Sequence, residues 1–360
     1  GYSHPIDDVS AVGVALFGNG GMNSQYASRD TFNGFGTYGG NIPVEFGGTN
    51  FFNLGGGNTG INYEQLGLSL TYSRDVMDGL SLGISGILAM QKIEVKGLGA
   101  FTPFTKTFTE AVVANPFGPG AVPTSLTDNG DDYSYGGGFS VGALWDINPM
   151  FSVGAMYRSK MWMGEFDDYE DTFAEGGDLD IPAVGAIGVA FKPNDQLSFA
   201  FDIQHIWYSD VDAINNDNKL PARCDVGAVF GQPNFGGTYD SSYCLGGNNG
   251  PGFGWDDMTV FKIGVQYELN PEWTLRAGYS HGDQPISGSQ VAFNVLAPAV
   301  IEDHWTLGLT YALQDTYELT FWGMYAPEET VSGPGVFTGS SSPKIRMHQY
   351  EVGVNFGWLF

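Results

Sequence analysis

The sequence predicts an all-β fold, a transmembrane antiparallel β-barrel that forms one unit over residues 1–360. Between Asp303 and Ala326, apolar residues alternate with small or polar ones along two strands joined by a short turn, and aromatic residues stand towards both ends of the apolar faces. Such alternation with aromatic girdles is typical of strands that cross a membrane. The unit recurs along the chain, with tight turns and long loops in strict alternation. Bacterial outer-membrane barrels show this asymmetry, whereas a soluble β-sandwich spreads loop lengths more evenly.

The alternation predicts about twelve strands. Gly1–Pro5 has the pattern of a strand tail that runs into a turn, and the first complete strand breaks at Gly18–Gly21. The long segment 97–132 contains a possible helix around Phe108–Asn115. The twelve strands centre on Val12–Phe17, Leu66–Tyr72, Leu80–Glu94, Phe139–Trp145, Phe151–Tyr157, Ile187–Phe191, Leu197–Ile203, Phe261–Tyr267, Trp273–Tyr279, Trp305–Leu313, Tyr317–Tyr325 and Tyr350–Trp358.

Composition excludes several classes of protein. The formal net charge is −26, so nucleic acid is not a partner. No run of about 18 apolar residues exists, which excludes a membrane protein built from helices. The mean hydropathy of −0.10 is low, as expected where only alternate residues face lipid. The 54 glycines and the 14% of aromatic residues fit many short strands with tight turns and interface rings.

Two cysteines, Cys224 and Cys244, flank a segment rich in Gly, Asn and Tyr. A disulfide that closes an external loop is expected if the chain is exported to an oxidising compartment. Two free thiols are the alternative. The pair offers no metal-ligand pattern, and we predict neither a metal site nor a cofactor.

Several short segments, in this order, resemble a known family, the FadL/TodX-type outer-membrane transporters of long-chain fatty acids and hydrophobic compounds. They are Gly18–Asn23, Tyr157–Ser159, Asp180–Pro182, Trp273–Gly278, Asp283–Pro285, His304–Leu307, Thr310–Ala312 and Asn355–Phe356. The resemblance implies a fourteen-strand barrel with an N-terminal hatch that plugs the lumen. Here the hatch, the first strand and most of the second are missing. The twelve strands would be the third to the fourteenth, and we expect the native protein to extend before Gly1.

The resemblance also implies a function, passive uptake of hydrophobic molecules across the outer membrane of a Gram-negative bacterium. Gly18, Asn19, Gly20 and Gly21 fall where the family has a kinked strand that opens a lateral hole, although a plain strand-to-loop turn would have the same composition. Phe101, Phe104 and Phe108 lie in a long loop that, in the family, helps to form a hydrophobic groove on the outside. A loop that packs on itself as a lid is the alternative.

Few cationic residues occupy the alternate strand positions that are expected to face the lumen. They are Arg158, Lys160, Lys262 and Arg276. Lys92 and Lys96 reach the lumen only if a bulge intervenes. We therefore take Lys92, Lys96, Arg158 and Arg276 as candidates for substrate binding, with structural ion pairs as the alternative. The family's substrate-binding arginine would fall near Val95, which leaves neutral hydrocarbons open as substrates.

Other functions have weaker support. The acidic loop from Glu165 to Asp180 is either a solvated loop or a site where divalent cations bridge to lipopolysaccharide phosphates. Acid–base pairs such as His281 with Asp283 do not make an enzyme without the geometry of a site. The main alternative is a water-filled porin for polar solutes. We expect a monomer whose partners are its substrate, outer-membrane lipid and lipopolysaccharide.

Overall fold

The computed structural model describes residues 1–26, 45–46, 49–50, 59–115, 121–218, 222–224, 238–291, 293–313, 316–334, 342 and 344–358. Within these ranges thirteen long strands follow one another. Their bounds are β1 Tyr2–Asp7, β2 Ser10–Tyr26, β3 Thr59–Met77, β4 Leu80–Lys96, β5 Asp132–Asn148, β6 Phe151–Arg158, β7 Ala183–Asn194, β8 Leu197–Trp207, β9 Met258–Asn270, β10 Trp273–Gly282, β11 Asp303–Leu313, β12 Tyr317–Ser332 and β13 Lys344–Trp358.

Each strand pairs antiparallel with the strands before and after it, so the thirteen form one continuous sheet. A two-residue strand, Trp162–Met163, pairs with β5 and is the fourteenth member. Among the described residues, no pairing joins β13 to β1. A separate short hairpin consists of Glu45–Phe46 and Thr49–Asn50. The strand tail expected at Gly1–Pro5 is present as β1, a strand of six residues that the predicted twelve did not include.

Short and long connections alternate along the sheet as the sequence predicts. The two-residue turns, such as Asp78–Gly79 and Pro149–Met150, all lie at one end of the strands, and the long loops lie at the other. Gly79 has a φ of +72°, and a Cβ there would lie 2.4 Å from the carbonyl oxygen of Asp146. Glycine is therefore required at that turn.

The two faces of the sheet differ in the way that the alternation predicts. The outer face carries exposed apolar side chains, among them Leu16, Leu70 and Ile84. Aromatic pairs frame this band near both ends. Trp273 and Tyr311 stack at 4.5 Å near the turns, and Tyr279 and Trp305 pack at 4.5 Å near the loops. An apolar band between two aromatic rings is the pattern of a lipid-facing surface.

The helices of the described chain lie in the long loops, and none of them is long and apolar enough to cross a membrane. The α-helical segments are α1 Lys106–Ala114, α2 Ala174–Gly177 and α3 Asp212–Asn215. The 3₁₀ segments are Gly99–Phe104, Asp167–Tyr169, Tyr208–Asp210, Ala222–Cys224, Ser241–Tyr243, Gly288–Gln290 and Phe293–Val295. Thr105 caps α1 by accepting a hydrogen bond from the Phe108 backbone N–H at 3.2 Å.

The main apolar core of the described chain lies between the loops and the upper ends of the strands. We call the described parts of loops 97–131, 159–182, 208–257 and 283–302 the cap. Side chains from all four loops meet in one buried cluster, which includes Phe101, Leu126, Phe166, Phe173, Leu245, Phe253 and Leu296. Inward residues of β3 and β4, such as Ile61 and Ile93, complete the cluster from below. The cap is therefore a packed lid over the end of the sheet.

Candidate functional site

The predicted kink in the wall is a β-bulge inside a continuous strand. β2 does not end at Gly18 but runs on to Tyr26, so the predicted break is wrong. The register against β3 shifts here, because Gly18 pairs with Leu66 and Gly20 already pairs with Gln65. One extra residue, Asn19, is accommodated between them. Such an insertion bends a strand and disrupts its ladder locally.

The bulge brings two neighbouring residues of β2 to the same side of the sheet. Asn19 and Gly20 both oppose Gln65, whose side chain points inward. A Cβ at Gly20 would lie 3.1 Å from Oε1 of Gln65. Glycine leaves this space to the side chain of Asn19, whose Nδ2 donates to the same oxygen at 2.7 Å. The Asn-Gly sequence thus positions one amide beside the lumen.

The oxygen of Asn19 binds a cation from a distant strand. Nη1 of Arg158, the last residue of β6, donates to Oδ1 of Asn19. Strands β3, β4 and β5 lie between these two residues in the sheet. Within the described part of the chain, Arg158 has no acidic partner, and its Nε is buried without a hydrogen bond. Among the residues that the structure describes, the guanidinium group of Arg158 therefore binds a neutral group.

The bonds continue from Gln65 to the cap. Nε2 of Gln65 donates to the hydroxyl of Tyr63 at 2.6 Å, and that hydroxyl donates to Oε1 of Gln91 at 2.9 Å. Gln91 is fully buried, and its Nε2 donates to the carbonyl oxygen of Leu179 at 2.9 Å. We call the series Arg158, Asn19, Gln65, Tyr63, Gln91 and the Leu179 carbonyl the polar relay. It connects the bulge in the wall to a loop of the cap.

That loop segment, Asp178–Pro182, crosses the inner side of the sheet, and we call it the strap. Its Asp180 binds Nζ of Lys160 at 2.7 Å and accepts from the backbone N–H of Met163 at 2.7 Å. The strap begins beside Gly177, which has a φ of +98° and approaches the backbone of Phe166 too closely for a Cβ.

One carboxyl group of the strap, that of Asp178, is incompletely hydrogen-bonded. Oδ1 of Asp178 is buried and has no hydrogen-bond partner among the described residues. Burial, together with the neighbouring carboxylates Asp180 and Glu175, raises the pKa of Asp178 to about 6. The strap therefore carries a carboxyl group that is protonated in part near neutral pH.

A cavity of about 830 Å³ lies between the strap and the bulge. Its walls include the bulge residues from Asn19 to Asn23, the strap residues Leu179, Ile181 and Pro182, and Arg158. Most other lining side chains are apolar, for example Ile61, Met156, Ile206, Phe253 and Trp255. A mainly apolar cavity with a few polar groups is the usual form of a site for small hydrophobic molecules.

The inner face below this cavity has a different character. Small and polar side chains line two further spaces of about 1010 and 590 Å³ near the short turns. Thr71 and Ser85 share a hydrogen bond of 2.7 Å there. Arg276 donates to Gln266 at 2.8 Å and to Thr310 at 2.6 Å. Arg276 thus lies inward as predicted, but away from the bulge and with neutral partners.

The three predicted capture residues are not exposed. Phe101 and Phe108 are buried, with 6% and 3% of their surface accessible, and Phe104 packs against the core of the cap. Phe101 contacts Phe293 of another loop at 5.0 Å between ring centroids. The expectation of an outer groove formed by these rings fails, because loops distant in sequence cover them. The alternative, a lid, describes their packing.

Lys92 and Lys96 lie on the outer face. The ladder between β3 and β4 is regular from Ser81 to Lys96, so no bulge in this described stretch turns the two lysines inward. Lys92 binds Glu64 at 2.8 Å, and Lys96 binds Glu94 at 2.8 Å. Neither lysine reaches the cavity.

Cys224 and Cys244 form a disulfide in the structure. The neighbouring Leu245 runs alongside the start of α1, where it accepts from the Lys106 N–H and donates to the Phe104 carbonyl, both at 2.9 Å. The disulfide therefore lies within the cap, at the contact between two of its loops.

The inward amides were missed by the sequence reasoning. Gln91 occupies an inward position of a predicted strand, so a search for polar side chains at lumen-facing positions would have found it. Gln65 stands one residue before the predicted strand Leu66–Tyr72, and the strand of the structure extends to include it. Their mutual connection through Tyr63 depends on the pairing register, which the sequence does not display.

Comparison with known proteins identifies the family. A model of the family described as outer membrane protein transport protein (OMPP1/FadL/TodX) matches residues 1–325. The chain belongs to this family. Its members from Gram-negative bacteria are outer-membrane proteins, and the chain is an outer-membrane β-barrel protein of the FadL/TodX family. No curated protein matches the chain.

Solved structures of similar fold come from the FadL/TodX family. The toluene transporter TodX of Pseudomonas putida has a TM-score of 0.59 at 16% identity, over 99% of this chain and 81% of TodX. A FadL homologue of Pseudomonas aeruginosa has the same TM-score and identity, over 98% and 75%. The toluene transporter TbuX of Ralstonia pickettii has a TM-score of 0.54 at 17% identity, over 98% and 78%. At these identities the likeness shows a shared fold.

Proposed function

We propose that this chain is a passive uptake channel for hydrophobic molecules, either long-chain fatty acids or hydrocarbons, with lateral exit through the barrel wall. The observation that carries the proposal is the mainly apolar cavity that extends from the strap to the bulge. The transport of toluene by the similar proteins TodX and TbuX supports the substrate class.

Energetics favour a sideways path from this cavity. A hydrophobic molecule that moved down the lumen would meet the polar inner face around Thr71, Ser85 and Arg276. Each CH₂ group left in water costs about 0.8 kcal/mol. An exit into the bilayer avoids that cost, and it needs a place where the wall has little side-chain cover. The bulge, with glycine at positions 18, 20 and 21, is such a place.

The outer surface beside the bulge supports this exit. On the side of the short turns, the lipid face continues with Leu16 and Leu66. On the side of the loops, Gly21 pairs with Glu64, which binds Lys92. The bulge therefore lies at the border between the apolar band and a charged band. A molecule that leaves here meets acyl chains on one side and head groups on the other.

Among the four cations considered for substrate binding, Arg158 is the one that lines this cavity. We propose that it is the polar group that a passing substrate meets. A carboxylate would gain a charge-assisted hydrogen bond from it, whereas a neutral hydrocarbon would contact only the apolar walls.

Two alanines on one strand allow a matched test. Ala186 and Ala190 both lie on the inner face of β7. Ala186 lines the apolar cavity and the edge of one lower space, whereas Ala190 lines only the two lower spaces. Ala186→Trp should strongly lower the uptake of toluene or oleate into vesicles, because the indole ring would occupy part of the cavity of about 830 Å³. Ala190→Trp should leave it unchanged. An equal loss in both variants would mean that the substrate travels down the lumen, which contradicts lateral exit.

A water-filled porin is the second candidate, and one observation favours it. The lower inner face encloses two wide spaces and carries hydroxyl groups such as those of Thr71 and Ser85, as expected of a channel for hydrophilic solutes.

A further inference from the structure

The hydrogen bonds of the polar relay all run in one direction. Arginine has only donors, so Oδ1 of Asn19 must face Arg158. Nδ2 of Asn19 then faces Gln65, whose own amide nitrogen faces the next acceptor, and the series ends on the carbonyl oxygen of Leu179. Bonds aligned in this way polarise and strengthen one another. The orientation of the amides in the relay is therefore set from both ends, by Arg158, which only donates, and by the Leu179 carbonyl, which only accepts.

Asn19 is also the single residue of the bulge segment Gly18–Gly21 that has a side chain. Gly18, Gly20 and Gly21 surround it and provide no cover of their own. A Cβ at Gly18 would meet nothing within 4 Å. The position of the Asn19 side chain therefore decides how open the wall is at the bulge.

The bond between Arg158 and Asn19 joins two parts of the wall that the ladder does not join directly. Among the described residues, the other inward cation at a similar site, Lys262, also binds a neutral amide, Gln204, at 2.8 Å. Gln204, however, lies on β8, the strand next to that of Lys262, so this bond only reinforces an existing pairing. The contact of Arg158 adds a constraint that pairing cannot supply.

We propose that the polar relay is a latch that holds the bulge in its closed shape, with Arg158 as its positioning residue. The proposal rests on the lateral exit proposed above. A molecule that leaves the cavity sideways has to displace Asn19 from Arg158, so this bond controls the opening of the wall. The strap end of the relay, at Gln91 and Leu179, links the same latch to the roof of the cavity.

The test measures opening without any substrate. The variant Gly18→Cys is made in the full-length protein, which is placed in lipid vesicles. The new cysteine faces lipid there and is protected from a membrane-impermeant methanethiosulfonate reagent. Adding Asn19→Ala or Arg158→Met should raise its labelling rate by about tenfold, the factor that corresponds to a lost hydrogen bond of roughly 1.4 kcal/mol. Arg158→Lys retains a charged donor and should restore slow labelling.

Two controls separate the latch from general loosening. Lys262→Met removes an inward cation outside the relay and should leave the labelling of the introduced cysteine slow. A cysteine placed by Gly86→Cys, on the regular outer face of β4, should remain unlabelled in every background. The latch would be overturned if the introduced cysteine were labelled as slowly in the Asn19→Ala and Arg158→Met proteins as in the Lys262→Met protein. If labelling rises as expected but transfer of toluene into the bilayer is unchanged, the latch stands and the lateral route is wrong.

Discussion

At the scale of single residues, the carboxyl group of Asp178 makes the cap sensitive to pH. Its pKa is raised to about 6, first by burial and then by Asp180 and Glu175, while Lys160 opposes the shift. A carboxyl group whose pKa is higher in the folded state than its ordinary 3.8 stabilises that state when protonated. This contribution is complete below pH 3.8 and is lost as the pH rises through about 6.

We therefore expect the strap to open more readily at pH 7.5 than at pH 5. Hydrogen exchange of residues 177–182, corrected for the intrinsic rate, should be faster at the higher pH. Asp178→Asn should remove this difference, because the amide stays neutral throughout. Asp167→Asn, an exposed change in the same loop, should retain it. An unchanged pH dependence in Asp178→Asn would assign the effect to another group.

The alternation of side chains between the two faces of a strand predicted which face single residues occupy. It assigned Arg158, Lys262 and Arg276 to the inner face, and the structure agrees, since each binds inward polar groups. Parity alone also turned Lys92 and Lys96 outward. The relay was not predictable in this way, because its members come from five segments whose contacts depend on the register and on a one-residue bulge.

At the scale of elements, the bulge in β2 shows what glycine can and cannot indicate. The run Gly18–Gly21 marked an irregularity correctly but suggested a break. The strand continues because the start of β3, from Thr59 to Gln65, pairs with its upper half. That partner segment contains mostly polar residues and lacks the alternation that identifies a strand. Sequence periodicity therefore underestimated both strands at their loop ends.

The same element carries a prediction about the lateral route. Gly18 and Gly21 both point outward, so valine at these positions would cover the bulge on its lipid side. A Cβ at position 21 would lie 3.2 Å from the backbone carbonyl oxygen of Tyr63, which takes no part in the hydrogen bonds of the relay. We expect Gly18→Val with Gly21→Val to slow the release of toluene into the bilayer, while binding in the cavity persists. Gly86→Val, on the regular outer face of β4, is the control and should have no effect. Release at the wild-type rate from the folded double variant would contradict an exit at the bulge.

At the scale of the whole molecule, the barrel could be predicted and the cap could not. Alternation and loop asymmetry repeat along the chain, so errors in single strands did not disturb the overall assignment. The cap has no period. Its core unites side chains from four loops, and the sequence shows only that each loop contains apolar residues. Phe101 and Phe108 were expected at the surface for this reason.

The cap bears on the choice between uptake of hydrophobic molecules and a porin, because a porin needs an open path for water-soluble molecules and the cap packs over one end of the sheet. Phe166 is fully buried in its core. Phe166→Ala should cost about 3–5 kcal/mol locally and loosen the cap, because Phe166 lies in the buried cluster where the four loops meet, whereas the sheet itself is untouched. We expect vesicles with the wild-type protein to swell slowly in maltose and those with Phe166→Ala to swell faster.

Two checks make this expectation decisive. Phe199→Ala removes a ring that faces lipid and should leave swelling slow, and both variants should keep the heat-modifiable gel mobility of a folded barrel. Rapid swelling by the wild-type protein would show that the cap does not seal the lumen, and the porin would then be the better description. Slow swelling in all three proteins would mean that the barrier lies below the cap, in the lumen itself. Fast swelling confined to Phe166→Ala would show that the apolar core of the cap is what keeps polar solutes out.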